Sequence, residues 1–535
     1  MKRNLASIFL PLALAGGIIG GIYIGKYEAG RKMSPQQEKI QTILGLIRSQ
    51  YVDEIDVDSL LETSIPELLS SLDPHSVYIP KSELTATNEE LEGAFGGIGV
   101  SFQILSDTVR VIEVIPGGPA EMVGMQPGDM ILEANGKKMI GDSISNSRVF
   151  KLLRGPEGSK VSLKVKRRSA TKPITFDITR DKIPEKSVDS YYMINDSIGY
   201  VRISKFARTT YNEFISALSS LRKEGASKYV LDFRGNSGGF MDQAISMVNE
   251  FLPAGKIIVY TKGRNPENES MFISDGTGQF QNVEISVLTN EFSASASEIF
   301  AGAIQDNDRG LVIGRRTFGK GLVQNPIMLP DSSGLRLTVA RYYTPSGRCI
   351  QKDYKRGVDG KYELDIVDRY NHGEFYSKDS VKMDESKKFT TVSGRTVYGG
   401  GGIMPDVFVP EDTTGYSSYY LEALNRGLIQ RFAGDFSEKY RSIIKEKSMA
   451  ELNRVLPRDN MLLNNFVSFA AENGLPARWF YINRSRDLLL NQLKAVIARD
   501  LIGFNSFIEI LNQKDSTIER AVKALESGDS PTKLN

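Results

Sequence analysis

Between Val283 and Asp306 the hydrophobic period of the chain changes once. Val283, Ile285 and Val287 alternate as in a half-buried strand, whereas Ile299, Phe300, Ala303 and Ile304 recur as on one helix face. The serine cluster from Ser293 to Ser297 therefore falls on a strand-to-helix turn. Ser295-Ala296-Ser297-Glu298 matches a capping box, which by itself describes an ordinary helix start. The same place suits a nucleophile. A helix N-terminus offers free N–H groups and the positive end of its dipole, so the Ala296 N–H can stabilise an oxyanion formed by attack from Ser295.

A serine hydroxyl needs a base. The chain of 535 residues holds only two histidines, His75 and His372, and one cysteine, Cys349. The usual histidine-based triad has poor candidates, an internal disulfide is impossible and a multi-ligand zinc site is hard to assemble. We expect neither metal nor cofactor. His75 reads as a locally packed turn residue and His372 as a solvated loop residue. A lysine can serve as base if burial keeps it uncharged. Lys320 sits between Gly319 and Gly321, with Phe318, Leu322 and Val323 close by. In an extended segment Lys320 and Gln324 face the same way, so Gln324 can hold the amine without adding charge. Taken alone, Lys320 reads as a solvated turn lysine. A third piece is YVLDFRGNSGGFMDQA, a buried strand ending at Asp232 and Arg234, then a glycine turn and a helix. Without a Cβ, Gly239 can bring its N–H close to a reacting carbonyl. A plain strand–helix turn is the alternative. A phosphate loop is weaker, because no GxxxxGK[ST] pattern occurs.

The length suggests about three or four domains at ~150 residues each. With 67 basic and 65 acidic residues the net charge is +2, which gives no argument for a nucleic-acid partner. Lys2 and Arg3 precede an apolar run from Leu5 to Ile24. A run of about 20 residues just spans a bilayer. An uncleaved anchor is favoured over a signal peptide cut near Ala13-Leu14-Ala15, and the flanking charges do not set orientation. Gln36–Leu72 has helical periodicity and ends in LDPHSVYIP. From Ala86 to Arg168 short strands are broken by glycines. Gly97-Ile98-Gly99-Val100, the Pro119-Ala120 helix start and Pro127-Gly128-Asp129 before Ile131-Leu132 follow in order. This ordered set resembles a PDZ domain. The resemblance implies that Gly97, Ile98, Gly99 and Val100 hold a peptide carboxylate while the strand edge takes the extended chain. Strands and helices then alternate from Glu185 to Pro410 in an α/β pattern. Asp353–Val397 reads as a surface excursion. Beyond Glu411 the chain is helical, with Leu489, Leu493 and Val496 on one face, Trp479 packed there and the last dozen residues frayed.

RGNSGG, SASASE and FGKGLVQ, following the PDZ-like module, resemble the C-terminal processing peptidases, also called tail-specific proteases. The likeness runs from about Ile40 to Pro410 and includes Leu72-Asp73-Pro74-His75-Ser76 and Gly402-Ile403-Met404-Pro405-Asp406. It implies a crotonase-like α/β peptidase core with an inserted PDZ-like domain, an N-terminal helical region and a C-terminal helical domain. The expected division is 1–33 anchor or signal segment, 34–85 helical region, 86–170 PDZ-like domain, 171–412 peptidase core and 413–535 helical tail. It further implies a Ser–Lys endopeptidase: Ser295 as nucleophile, Lys320 as base, Gln324 positioning it, and the N–H groups of Gly239 (or Gly238) and Ala296 as oxyanion donors. Partners would be protein substrates with free C-termini, the membrane through the N-terminal segment, and a homo-oligomer or adaptor. Residence on the periplasmic side of a bacterial inner membrane follows from the apolar run together with the resemblance. The rival readings are a catalytically silent PDZ scaffold that only binds C-termini, and a crotonase-type acyl-CoA enzyme.

Overall fold

The computed structural model describes residues 34–105, 107–141, 144–357 and 360–533. The apolar run Leu5–Ile24 lies outside them. Among the described residues no helix is long and apolar enough to cross a membrane. The chain divides into two compact units, Met1–Leu72 and Asp73–Asn535. In the described part of the first unit, helix Pro35–Gln50 starts from a complete capping box between Ser34 and Gln37. Helix Val57–Ser70 starts from Asp56. Both follow the expected periodicity, and Ile40, Ile43 and Leu46 stand exposed.

The second unit is built on a six-stranded sheet, in the order Val188–Met193, Ile198–Ile203, Lys228–Asp232, Glu284–Thr289, Leu311–Gly314, Val407–Phe408. The first pair is antiparallel and the rest are parallel, so the connections cross over through helices. Helices Thr210–Glu224, Met241–Asn249 and Ala296–Asp306 pack one face, where Phe214, Leu218, Met247, Phe300 and Ile304 meet Val201, Leu231 and Val287. Every residue of Ala296–Asp306 is buried. The opposite face is covered from the far end of the chain: Ile518, Ala521, Ala524 and Leu525 of helix Ser516–Ser527 close over Ile198, Val230, Leu288 and Ile313. Up to Lys533 the end of the chain is thus ordered against the sheet rather than frayed: the helix buries Thr517, Ile518, Ala521, Ala524 and Leu525, and Pro531 beyond it is buried too.

A second sheet of five strands centres on Gly334–Tyr343. Leu322–Met328 runs along one edge, and Val77–Ile79 and Ile257–Gly263 share the other. The PDZ-like module hangs between them on a two-stranded stalk, Ala94–Gly97 paired with Asp181–Pro184. Its sheet takes Val100–Leu105, Thr108–Val114, Met130–Ala134, Lys160–Lys166 and Ile174–Thr179. The last strand, expected at the start of the peptidase core, pairs along Lys160–Lys166 and buries Phe176 and Ile178 in the PDZ-like interior. The excursion after Asp353 carries helix Lys361–Asn371 and a hairpin, Lys388–Thr390 with Thr396–Tyr398. Tail helices from Ser418 to Leu501 form their own apolar core. Trp479, expected inside it, is 46% exposed, because it opens a one-and-a-half-turn helix whose buried residue is Ile482.

Candidate active site

The strand Glu284–Thr289 delivers the serine turn to the sheet's C-terminal end, where ligands of parallel sheets collect. Ser295 adopts φ 55°, a positive value uncommon for a residue with a Cβ. Its N–H donates to Glu298 Oε2 at 2.8 Å, and its carbonyl accepts from the N–H groups of Glu298 and Ile299 at 2.9 and 3.0 Å. Glu298 then reaches across to the lysine loop. Oε2 also accepts the Lys320 N–H at 2.8 Å, and Oε1 accepts the Gly319 N–H at 2.8 Å and the Thr317 hydroxyl at 2.5 Å. One buried carboxylate thus ties the serine turn to the loop 25 positions on. Burial pushes Glu298 up to about 7, against the four donors that favour its ionised form. Tyr342 seals the same junction: its hydroxyl donates to the carbonyls of Lys320, at 2.5 Å, and Ser295, at 3.1 Å.

Lys320 is half-buried and its Nζ donates to Gln324 Oε1 at 3.1 Å. Burial, and then the charge of Arg336, lower its pKa below the usual lysine value; Glu298 and Asp73 pull the other way. Among the described residues no hydrogen bond joins Lys320 Nζ to Ser295 Oγ. Gln324 is held at its other end as well, since its Nε2 donates to the His75 carbonyl. The His75 ring turns away to the Tyr362 hydroxyl, 2.7 Å from Nε2, and burial depresses its pKa to about 4. His75 is therefore packed as expected, but its main chain belongs to the site. Asp73 shapes that turn: Oδ1 accepts the N–H groups of His75 and Ser76 and the Thr338 hydroxyl, and Oδ2 accepts the Ser76 hydroxyl at 2.6 Å. His372 lies exposed at a helix end, as expected.

The RGNSGG turn lies against the serine turn. Asn236 stitches the two, its carbonyl accepting the Ala294 N–H and the Ser297 hydroxyl, each at 2.9 Å. A Cβ on Gly238 would stand 2.7 Å from Ser295 Cβ and 3.1 Å from the Ala296 nitrogen, so the approach admits glycine alone. The Gly238 N–H is already committed to Asn236 Oδ1 at 2.8 Å. Among the described residues the N–H groups of Gly239 and Ala296 have no acceptor. In the PDZ-like module, Gly97 ends the stalk strand, Ile98 is buried and Gly99 has φ 78°. The carbonyls of Ile98 and Gly99 accept from Ala120 and Ile115. Val100 opens a strand that pairs only with Thr108–Val114, leaving its other edge open among the described sheets.

The arrangement brings Ser295, Lys320, Gln324, Gly239 and Ala296 to one place and keeps the Gly97–Val100 loop in the separate module. Glu298, Tyr342 and the main chain of His75 were not foreseen as parts of it. Glu298 carried a signal, as the partner in the capping box. A backbone carbonyl carries none.

Comparisons with known proteins agree with this anatomy. Peptidase family S41 matches residues 197–364 and the PDZ domain family matches 110–167. The activating protease CtpB N-terminal domain matches 24–83, and a family of unknown function matches 419–503. A carboxy-terminal-processing protease of Bartonella bacilliformis is 37% identical over 382 residues, 70% of this chain and 85% of that protein. A probable CtpA-like serine protease of Staphylococcus aureus is 36% identical over 70% of this chain and 75% of its own. The carboxy-terminal processing protease CtpA of Bacillus subtilis is 33% identical over 69% and 79%. Among solved structures, the photosystem II D1 C-terminal processing protease covers 61% of this chain and 92% of its own, at 29% identity and a TM-score of 0.34. With an S41 core, a PDZ domain and relatives matched along most of their length, the chain belongs to the carboxy-terminal processing proteases of peptidase family S41.

Proposed function

We propose that this protease works as a Ser–Lys endopeptidase on the C-terminal segments of protein substrates. The observation that carries the reading is the Glu298 carboxylate, which accepts the N–H of Ser295 and of Lys320 through one oxygen. It holds a hydroxyl and a half-buried amine on facing turns while the amine itself meets a neutral amide. Uncharged Lys320 takes the Ser295 proton as Oγ attacks the scissile carbonyl. The carbonyl oxygen becomes negative between the N–H groups of Gly239 and Ala296, neither of which has another acceptor among the described residues. Protonated Lys320 gives its proton to the leaving amine, and water activated by the same amine releases the acyl group. Gln324 keeps the amine in place without fixing a charge on it.

The PDZ-like module supplies the substrate. An extended C-terminal segment adds to the open edge of Val100–Leu105, and the Gly97–Val100 loop receives its carboxylate. The test is a peptide reporter with a free or amidated C-terminus, cleaved by the wild type, Ser295→Ala and Lys320→Ala. Wild type cleaves and prefers the free carboxylate; both variants lose at least about 10³-fold in kcat. Undiminished turnover by Ser295→Ala would overturn the reading.

A further inference from the structure

The turn that carries Gly239 is gripped by the last helix of the chain. Asp232, buried at the end of its strand, is disfavoured as an anion by burial, but the charge and hydrogen bonds of Arg234 hold it below the usual carboxylate value. Arg234 Nε and Nη2 clasp Asp232 at 3.0 and 2.7 Å, and the buried Tyr200 hydroxyl adds a third bond at 2.8 Å. The remaining nitrogen, Nη1, donates to Asp515 Oδ2 at 2.8 Å. Asp515 is also the N-cap of helix Ser516–Ser527, where its Oδ1 accepts the N–H groups of Thr517 and Ile518 at 2.9 and 3.0 Å. One oxygen therefore starts the helix and the other holds the guanidinium.

Independent contacts fix that helix and its predecessor in place. Lys228 Nζ donates to the Leu525 carbonyl at 2.5 Å, and Asn505 Oδ1 accepts the Ser190 hydroxyl at 2.7 Å and the Tyr191 N–H at 2.9 Å. Asn512 Nδ2 donates to the Tyr192 hydroxyl at 2.9 Å. The tail residues among them, Asn505, Asn512 and Leu525, and Asp515 with them, lie beyond both the S41 match and the match at 419–503.

We propose that Asp515 is a positioning residue for the peptidase, acting through Arg234 to hold the Gly235–Gly239 turn in register with the serine turn. The inference rests on the reading of Gly239 as an oxyanion donor. A guanidinium held by carboxylates on both sides has no free rotation, and its own main chain begins the turn: the Arg234 N–H donates to Asp232 Oδ1 at 2.9 Å and the Gly235 N–H to Asn290 Oδ1 at 2.9 Å. Oxyanion donors act only when already in place, so a looser turn costs rate rather than substrate affinity. The tail is then part of the catalytic apparatus.

Asp515→Asn tests this, because the asparagine oxygen caps a helix as well as aspartate does, while its NH2 then faces Arg234 Nη1 and cannot accept from it. The expected result is a fall in kcat of about tenfold with KM little changed. Hydrogen exchange at Gly235–Gly239 should quicken while that of Ser516–Ser527 stays as in the wild type. Adding Asp515→Asn to Arg234→Gln should cost nothing further. A wild-type kcat for Asp515→Asn, or an undiminished loss in the Arg234→Gln background, would overturn the inference. Ser295→Ala is run alongside. If it is inactive and Asp515→Asn matches the wild type, only this inference falls; if Ser295→Ala cleaves normally, the underlying reading falls with it.

Discussion

A carboxylate offers about four acceptor positions, and Glu298 has a donor at each. Glutamine there would turn an NH2 toward backbone N–H groups, which only donate, whichever way the amide is placed. Glu298→Gln is expected to lose about 3 kcal/mol of stability, read by denaturant unfolding, and to lower kcat more than it raises KM. Lys320 makes a different kind of prediction. In the proposed Ser–Lys mechanism only the uncharged amine accepts the Ser295 proton, so kcat/KM is expected to rise with pH through the folded-state pKa, which burial and Arg336 hold below the usual lysine value. Arg336→Gln removes one of the two lowering influences, and the limb should move to higher pH. Glu298 adds a second loss as pH falls through about 7, where its carboxylate takes up a proton and an acceptor becomes a donor. The stability sign is the reverse of a salt bridge. The fold favours neutral Lys320 and the unfolded chain the charged form, so stability is lost as pH falls from the unfolded value through the folded one. Lys320→Met should therefore raise Tm at pH 7 while abolishing turnover. An unchanged or lower Tm would count against a desolvated amine.

The elements around these residues are turns in which backbone approach leaves no room. A Cβ on Gly239 would lie 2.1 Å from the Phe206 carbonyl oxygen, whose bond from the Phe240 N–H, 2.8 Å, fixes the turn to the segment that follows strand Ile198–Ile203. Gly239→Ala should cost at least about 3 kcal/mol and activity with it, seen as a lowered Tm and loss of cleavage. This turn was readable from residue types, because only glycine serves where two main chains meet. The turns that carry Ser295 and Lys320 were readable too: a change of hydrophobic period marked one, and the flanking glycines marked the other. What stayed hidden were partners far apart in sequence. Gln324 donates to a carbonyl 249 positions away, and Arg234 bonds a carboxylate 281 positions away. Neither contact has a local pattern. The place of strand Ile174–Thr179 stays hidden for a related reason: its alternation fits either neighbouring sheet, and pairing with Lys160–Lys166 decides.

At the scale of the molecule, the tail holds two other parts in different ways. It covers the core sheet with buried apolar side chains, a contact that stands or falls with the fold. Against the PDZ-like module it offers charge. Arg168 pairs with Asp435 at 3.7 Å, both side chains more than half exposed, and Glu438 approaches Gly128. Between them lies a cavity of about 300 Å³, lined among others by Arg110, Lys166, Arg167, Glu438 and Arg441. Exposed ion pairs contribute roughly 0–1 kcal/mol each and weaken within a Debye length as salt rises. A polar contact of this kind orients a module without locking it, which suits the proposed uptake of a substrate strand along its edge. Spin labels on the exposed residues Lys172 and Glu472 should give a narrow distance distribution at low salt and a broad one at about 0.5 M. Asp435→Lys with Glu438→Lys should broaden it at low salt while leaving the main unfolding transition in place, because the apolar cover of the core sheet is untouched. A distribution indifferent to both salt and charge reversal would mean that the stalk alone, Ala94–Gly97 with Asp181–Pro184, sets the module's position.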